Sequence, residues 1–233
     1  MAVEKAVTEF IYSNQKIIIE GYHVEDLIFD RIVTRKTFYE DKLLEKARSL
    51  NLKGVYVDIG ANIGNHSIFF SCFCGSTVVY SFEIDETIFP LLKKNMEKNC
   101  LKHIYHLSDI GILDKKGFVD ISETNHLNAG MTKIVNVEGT HKKVNKLDNL
   151  LQNIENIVLI KIDVEGFELE IINGAQNILE SQSPVIFAEL ATETEFKLVK
   201  NELAKYGYTT DNVNYAGTPT YLFQKTEVLH EKI

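Results

Sequence analysis

The sequence lacks any long hydrophobic run. No stretch approaches the ~20 apolar residues that a helix needs to cross a bilayer. The longest candidates, Ser67–Cys74 and Ile157–Val164, have the length of a strand or a short helix. Met1–Phe10 contains no apolar segment of the kind found in secretory signals. We therefore expect neither a membrane span nor secretion.

Cysteine and proline are scarce, with three of each in 233 residues. Cys72, Cys74 and Cys100 are odd in number and form no CxxC motif, so we expect a reducing, cytoplasmic location without a disulfide framework. No proline lies in a linker-like segment, which argues against a second large domain. Basic residues are also in deficit, with 25 against 33 acidic ones and a net charge of −8. This balance argues against a nucleic acid or an anionic membrane as partner.

From Gly54 onward, short apolar strands alternate with amphipathic helices. The predicted elements are strands Val55–Asp58, Val78–Phe82, Ile104–Leu107, Ile157–Asp163 and Pro184–Glu189, a helix through Ser67–Cys72, a helix ending near Asn99, a helix Phe167–Leu179, a helix begun by the capping box Thr192–Glu195, and a final antiparallel pair Tyr208–Thr210 and Thr220–Gln224. Such alternation predicts a mostly parallel sheet covered on both faces, an α/β fold.

Two segments depart from this alternation. Residues 1–53 are predicted to form an N-terminal extension that packs on the core, with an extended stretch at Phe10–Glu20 and a helix at Phe38–Leu50. The spacing of Thr37 and Glu40 fits a capping box at the start of that helix. Gly117–Leu147 has turn residues and alternation, which predict hairpins or an irregular excursion. We assign residues 54–233 to the main domain.

Acidic residues stand at the end of every predicted parallel strand. They are Asp58, Glu83, Asp109, Asp163 with Glu165, and Glu189. Ligands of such sheets bind at the carboxyl ends of the strands. Asp also favours turns for reasons unrelated to ligands, so each position has an ordinary structural alternative.

The turn after the first of these strands, Gly60–Gly64, does not fit a nicotinamide dinucleotide. That fingerprint requires glycine where this chain has Asn62 and Asn65, and the preceding Asp58 would repel a phosphate. Glu83, at the next strand end, is placed to accept hydrogen bonds from ribose hydroxyls. An adenosyl ligand with a cationic tail fits, which predicts S-adenosylmethionine held by Asp58, Gly60, Asn62, Gly64 and Glu83, with Asp109 near the adenine amino group. The alternative is a tight turn without a ligand.

Two longer motifs are similar to those of FkbM-type S-adenosylmethionine-dependent methyltransferases. They are Val55–Ser67, read VYVDIGANIGNHS, and Leu159–Glu168, read LIKIDVEGFE. Weaker matches are Phe82-Glu83 with Leu92 and Asn95, Val144–Asp148, and Asn173–Ala175. One departure is Ile84, where the family often has proline. The resemblance covers roughly Gly54 to Gln224.

This resemblance implies a Rossmann-like class I methyltransferase fold, with a seven-stranded, mostly parallel sheet and an antiparallel last strand. It implies methyl transfer to a hydroxyl, most often of a sugar in a glycan, glycolipid or natural product. The product of the cofactor would be S-adenosylhomocysteine. Neither the acceptor nor the oligomeric state follows from the sequence.

An alcohol acceptor needs a base or a metal beside it. Asp163 and Glu165 lie two apart after the fourth strand, so on an extended segment both would face one pocket, and each would raise the pKa of the other. For Glu165 the alternative is contact with the N-terminus of the following helix. Glu189 could join them around a Mg²⁺-like ion, but clustered acids do not prove this, and we assign no metal ligand. Lys161, inside a buried strand, needs an acidic partner.

Other residues and functions remain as alternatives. His66 and His126 are secondary candidates for ligand contact and for the base, and Tyr39 and Glu40 for closing over the cofactor. A nucleic-acid amino-methyltransferase would show Pro-Pro-aromatic after Asp163, where this chain has Val-Glu-Gly. A magnesium-dependent small-molecule O-methyltransferase and a non-catalytic subunit that keeps the fold are the remaining alternatives.

Overall fold

The computed structural model describes residues 5–22, 27–120 and 141–225. The strands are β1 Lys5–Tyr12, β2 Gln15–Tyr22, β3 Gly54–Ile59, β4 Ser76–Phe82, β5 Ile104–Ser108, β6 Gly111–Ile112, β7 Gly117–Asp120, β8 His141–Asn145, β9 Ile157–Ile162, β10 Val185–Glu189, β11 Tyr208–Asn214 and β12 Thr220–Lys225. The helices are α1 Leu27–Arg35, α2 Asp41–Ser49, α3 Asn65–Phe73, α4 Phe89–Asn99, α5 Leu147–Leu150, α6 Glu168–Asn173, α7 Gln176–Ser181 and α8 Glu193–Ala204.

A seven-stranded sheet runs through the centre in the order β11-β12-β10-β9-β3-β4-β5. The pairs from β10 to β5 are parallel, whereas β12 is antiparallel to both β10 and β11. This confirms the predicted mostly parallel sheet with an antiparallel last strand. The parallel strands end at one edge, and the predicted acids lie at or next to these strand ends. None of the helices in the described ranges combines the length and the apolar character that a membrane crossing requires.

Hydrophobic clusters cover both faces of this sheet, and the N-terminal segment contributes to one of them. Phe10 of β1 and Phe38 meet edge to face, with ring centroids 5.2 Å apart, and Phe38 meets Phe69 of α3 at 5.3 Å. Leu43 and Leu44 of α2 belong to the same buried cluster. The hairpin strands, α1, Phe38 and α2 therefore share a core with the sheet and its helices.

The stretch predicted as extended at Phe10–Glu20 is a hairpin of β1 and β2. Ser13 and Asn14 form its turn with φ of 46° and 63°, the left-handed conformation that two-residue hairpin turns need. Two amides of α4 hold the outer edge of β2. Asn99 Oδ1 and Nδ2 bond the N–H and C=O of Ile18 at 2.9 and 2.7 Å, and Asn95 bonds those of Glu20 at 2.8 and 2.9 Å.

The helix predicted at Phe167–Leu179 is two helices, α6 and α7. Gly174 lies at the break, where a Cβ would stand 2.3 Å from the carbonyl oxygen of Leu113. Asp148 then accepts hydrogen bonds from the backbone N–H groups of Asn177 and Ile178, at 2.9 and 3.0 Å. A cap supplied from a distant segment starts the second helix, and no local pattern revealed it.

The predicted excursion at Gly117–Leu147 contributes to a small separate sheet in the order β6-β8-β7. His126, our secondary candidate for the base, lies outside the described residues. The capping box at Thr192 is confirmed: its hydroxyl accepts from Glu195 N at 3.2 Å, and the Glu195 carboxylate accepts from Thr192 N at 2.8 Å.

Candidate active site

The glycine turn between β3 and α3 packs tightly against two neighbouring strands. The N–H groups of Gly60 and Ala61 both donate to the carbonyl of Phe82, at 3.0 Å each. Gly60 has φ of 75°, and a Cβ there would stand 1.7 Å from the carbonyl oxygen of Asp163. Only glycine fits this position, because both the conformation and the close backbone approach exclude a side chain.

Glu83 joins this turn to the loop after β4. One carboxylate oxygen accepts from Asn62 N and the other from Asp85 N, both at 2.8 Å. Burial raises the pKa of Glu83 to about 7, although both backbone bonds oppose the shift. The structure therefore brings together Glu83, Asn62 and Gly60, three of the residues predicted to bind the cofactor.

Asp109 lies at the same edge of the sheet. It follows Ser108, the last residue of β5, whose carbonyl accepts from Glu83 N at 3.0 Å. The Asp109 side chain is exposed. It is thus open to a ligand held beside Glu83.

Asp58 differs from the other predicted cofactor residues because its side chain has no exposed surface. It lies inside β3, opposite Lys161 of β9 in the strand register. Ser67 Oγ donates to one carboxylate oxygen at 2.6 Å, and Lys161 Nζ lies 3.3 Å from the other. Its partners are therefore interior groups of the protein.

Lys161 links the turn to the acids. Its ammonium donates to the carbonyl of Gly60 at 2.9 Å and lies 3.3 Å from a carboxylate oxygen of Asp163. Burial alone would lower the pKa of Lys161, but the Asp58 and Asp163 carboxylates outweigh it and raise the pKa above its usual range. The prediction that this lysine needs an acidic partner is confirmed.

Asp163, Glu165 and Glu189 form what we call the acid triad. Each has a carboxylate oxygen within 4.8 Å of one on each of the other two. The predicted convergence is right, but the reason given for it was wrong. Glu165 has φ of 56° and Gly166 φ of 99°, so the chain turns here instead of extending. The turn, not the alternation of a strand, brings Glu165 to the other two.

The proton distribution in the acid triad also differs from the prediction. Burial and the neighbouring Asp163 raise the pKa of Glu189 to about 10. Burial would raise the pKa of Asp163 too, but Lys161 and the hydrogen bond with Glu189 hold it below its usual range. Near neutral pH, Glu189 is the protonated partner and Asp163 the ionised one. The predicted rise in the pKa of Asp163 was wrong because it omitted the buried ammonium.

Glu168 is a residue that the sequence reasoning missed. Its carboxylate accepts from Gly166 N at 3.1 Å and from Val164 N at 3.4 Å, so it closes the loop that carries Glu165. We considered Glu165 as the anion at this helix start; the amides of Gly166 and Val164 are contacted by Glu168. Its position in the first turn of α6 was the available signal.

The N-terminal segment supplies a further wall. Glu40 does not close the predicted capping box with Thr37. It occupies the N-cap position of α2 with φ of 58°, makes no side-chain cap, and its carboxylate lies 3.1 Å from His66 Nε2. Both side chains are buried, so the first-turn histidine is not solvated. Tyr39 is half-buried beside them, and burial together with Glu40 raises its pKa to about 12, with smaller contributions from Glu189 and Asp163. Tyr39 therefore lies within electrostatic reach of the acid triad.

The family model of the methyltransferase FkbM domain matches residues 58–210, more than half of the chain. The chain belongs to the FkbM methyltransferase family. Over 152 residues it is 32% identical to the hexuronic acid methyltransferase AglP of Haloferax volcanii. That match covers 62% of this chain and 58% of the relative, so the chain spans less than two thirds of the relative's length.

Solved methyltransferase structures share the fold. Methyltransferase FkbM of Methylobacillus flagellatus superposes with a TM-score of 0.57 at 16% identity, over 74% of this chain and 43% of that one. Precorrin-6y C5,15-methyltransferase of Geobacter metallireducens gives 0.51 at 17% identity, over 80% and 86%. The tRNA m1G37 methyltransferase of M. jannaschii gives 0.50 at 17%, over 95% and 57%. The predicted class I methyltransferase fold is confirmed.

Proposed function

We propose that this chain is an S-adenosylmethionine-dependent O-methyltransferase whose acceptor is a saccharide. The observation that carries the proposal is the hydrogen-bonded pair of Asp163 and Glu189, placed beside Lys161 and the glycine turn where the parallel strands end. Family membership supports methyl transfer, and the hexuronic acid methyltransferase relative supports a sugar acceptor. In this proposal, residues 54–233 form the methyltransferase unit and residues 1–53 an extension on its acceptor side.

The hydrogen-bonding groups around the glycine turn fit S-adenosylmethionine. The Glu83 carboxylate suits ribose hydroxyls, and Asp109 suits the adenine amino group. The surrounding carboxylates favour a cationic ligand and disfavour a phosphate. Asp58 acts indirectly in this scheme, since it holds Lys161, which holds Gly60. Gly64 and Asn62, both with positive φ, set the path of the turn.

The cofactor supplies an activated methyl group, so the protein must align the acceptor oxygen and remove its proton. Asp163 is the candidate base, because Lys161 keeps it ionised and able to accept. Glu189 carries a proton that orients Asp163. Glu165, brought into the acid triad by its turn, is the second candidate for contact with the acceptor.

Calorimetry with S-adenosylhomocysteine and with NAD tests the cofactor assignment. We expect binding of the former only; heat from NAD alone would contradict the proposal. Transfer from methyl-labelled S-adenosylmethionine to acidic and neutral glycosides then tests the acceptor class. An alkali-stable ether product indicates a hydroxyl acceptor, whereas an alkali-labile ester indicates a carboxylate, which is ionised already and needs no base.

The three carboxylates of the acid triad are also suitable ligands for an oxygen-binding cation. Adding EDTA to the same assay distinguishes a role in proton transfer from a role in metal binding. Activity that survives chelation assigns the acids to proton transfer. Activity that is lost and then restored by Mg²⁺ or Mn²⁺ assigns them to a metal.

A further inference from the structure

Helix α1 places a guanidinium on the wall beside the acid triad. The Arg31 guanidinium carbon lies 5.7 Å from the centroid of the Tyr39 ring, a cation–π contact that holds both side chains in position. Both residues are half-buried. Among the described residues, Arg31 takes part in no ion pair, so its positive charge lies against the Tyr39 ring without an acidic partner.

A glycine lies next to these two side chains. Gly217, in the loop between β11 and β12, is exposed, and its φ lies outside the left-handed region that favours glycine. A Cβ there would stand 3.6 Å from Arg31 Nη1 and 3.7 Å from Tyr39 Oη, both ordinary contacts. Neither the backbone nor crowding demands glycine here. Glycine therefore leaves the space of a side chain unfilled beside the guanidinium and the phenol, and we call this space the gap at Gly217.

The same loop is tied to the acid triad. Leu190 N, directly after Glu189, donates to the carbonyl of Pro219 at 2.7 Å, two residues beyond Gly217. Tyr39 in turn lies within electrostatic reach of Glu189 and Asp163. An anionic sugar entering this site would be repelled by the acids unless a fixed cation compensated. Arg31 is such a cation, in a chain whose net charge is −8.

We propose that Arg31, Tyr39 and the gap at Gly217 form a subsite for the carboxylate of an acidic sugar, with Arg31 as the specificity-determining residue. A guanidinium binds a carboxylate through two parallel hydrogen bonds, and a phenol can add a third. The inference rests on the proposed function, because it names the class of saccharide that the same site accepts. The match to a hexuronic acid methyltransferase supports an acidic sugar.

The test measures binding to the full-length protein saturated with S-adenosylhomocysteine. The probes are 4-nitrophenyl β-D-glucuronide and 4-nitrophenyl β-D-glucoside, which differ in the carboxylate. We expect the wild type to prefer the glucuronide by about 10–100-fold, the worth of a charge-assisted hydrogen bond. Arg31→Gln should abolish the preference, Arg31→Lys should keep part of it, and Arg35→Gln, the matched change at an exposed arginine of the same helix, should leave it intact.

A second variant tests the gap without changing a charge. Gly217→Leu should fill the space and weaken both probes, while S-adenosylhomocysteine affinity and thermal stability stay near wild type. Equal or undetectable binding of both sugars to the loaded wild type would overturn the subsite alone. Failure of the wild type to bind S-adenosylhomocysteine would overturn the proposed function instead. A glucuronide preference that survives in Arg31→Gln would move the anion site elsewhere.

Discussion

Lys161 is a charged side chain with an exposed fraction of only 2%. A buried ammonium is tolerated when carboxylates and a carbonyl replace its water, and Asp58, Asp163 and Gly60 do so here. The arrangement keeps Asp163 ionised next to a protonated Glu189. One lysine thus determines which of two adjacent carboxyl groups can accept a proton.

At the scale of single residues, Asp163→Asn should lower turnover by about 10²–10⁴-fold, the rate enhancement that a positioned base usually provides. Cofactor affinity should stay within a few-fold, because Asp163 is assigned to the acceptor. Glu165→Gln is the parallel test of the second candidate, and Glu170→Gln, at a half-buried position in the first turn of α6, is the matched control. Turnover at saturating cofactor that is unchanged in both site variants would remove the base assignment.

Glu83 gives a prediction about pH. Its pKa is raised to about 7 from an ordinary value of 4.5, so the folded state binds this proton more tightly than the unfolded state. Its contribution to stability is therefore complete below about pH 4.5 and is lost as the pH rises through about 7. The affinity for a ligand should change with pH in the opposite direction and rise with pH, because only the ionised carboxylate accepts hydrogen bonds on both oxygens.

Adenosine is the suitable probe, since it carries the ribose and does not titrate in this range. Its affinity for the wild type should rise between about pH 5 and about pH 8, while the urea midpoint falls. In Glu83→Gln both profiles should flatten, and the affinity above pH 7 should be roughly tenfold to hundredfold lower. Equal slopes in the two proteins would place the titrating group elsewhere.

At the scale of elements, β3 and β9 are held together by an ion pair as well as by backbone hydrogen bonds. Asp58 and Lys161 are register partners in a fully buried part of the sheet. Lys161→Met should destabilise the protein by about 3–5 kcal/mol, because Asp58 is left buried and unpaired. The double variant Asp58→Asn/Lys161→Met should recover part of that loss in urea unfolding. A single-variant loss below about 1 kcal/mol would show that water reaches Asp58.

The strands were predictable because each is a short apolar run bounded by turn residues, and a fully buried parallel strand requires such a run. Helix starts were predictable only where the cap is local. Thr192 and Glu195 lie three apart and bond each other. Thr37 and Glu40 have the same spacing, but the Glu40 carboxylate lies 3.1 Å from Nε2 of His66, which is 26 residues further along the chain. Tertiary contacts override a local signal of equal strength.

The members of the site were predictable for a similar reason, since the ends of parallel strands meet at one edge. Asp163, Glu165 and Glu189 do converge there. Their protonation was not predictable, because it depends on the depth at which Lys161 is buried. The position of Arg31 could not be predicted either, because its helix was not predicted and it lies beside Tyr39 and near Gly217, nearly 190 residues further along the chain.

At the scale of the whole molecule, the described part of the N-terminal segment shares a buried cluster with the rest of the chain. Phe38 contacts both Phe10 of the hairpin and Phe69 of α3, within one buried cluster. The division between residues 53 and 54 is therefore a proposal about roles. Residues 1–53 would contribute to the binding of the acceptor, and residues 54–233 would carry out methyl transfer. Deleting the extension would expose the face of α3 and α4 on which it packs.

We accordingly expect one cooperative unfolding transition. Hydrogen exchange of peptides from β1–β2 and from β9–β10, followed across urea concentrations, should give coincident midpoints. Phe38→Ala should shift both midpoints together, since truncating a buried phenylalanine costs about 3–5 kcal/mol. A hairpin that exchanges at lower urea than the sheet would instead establish a separate N-terminal unit.

The two amides that α4 presents to β2 have a consequence for aggregation. An unpaired strand edge is a template on which another chain can add a strand. Asn95 and Asn99 already offer Ile18 and Glu20 the donors and acceptors that such a strand would bring. Replacing both by leucine should free that edge, and light scattering should then rise with protein concentration before the fold is lost. By satisfying these backbone groups, the two asparagines prevent a strand of a second molecule from pairing with the edge of β2.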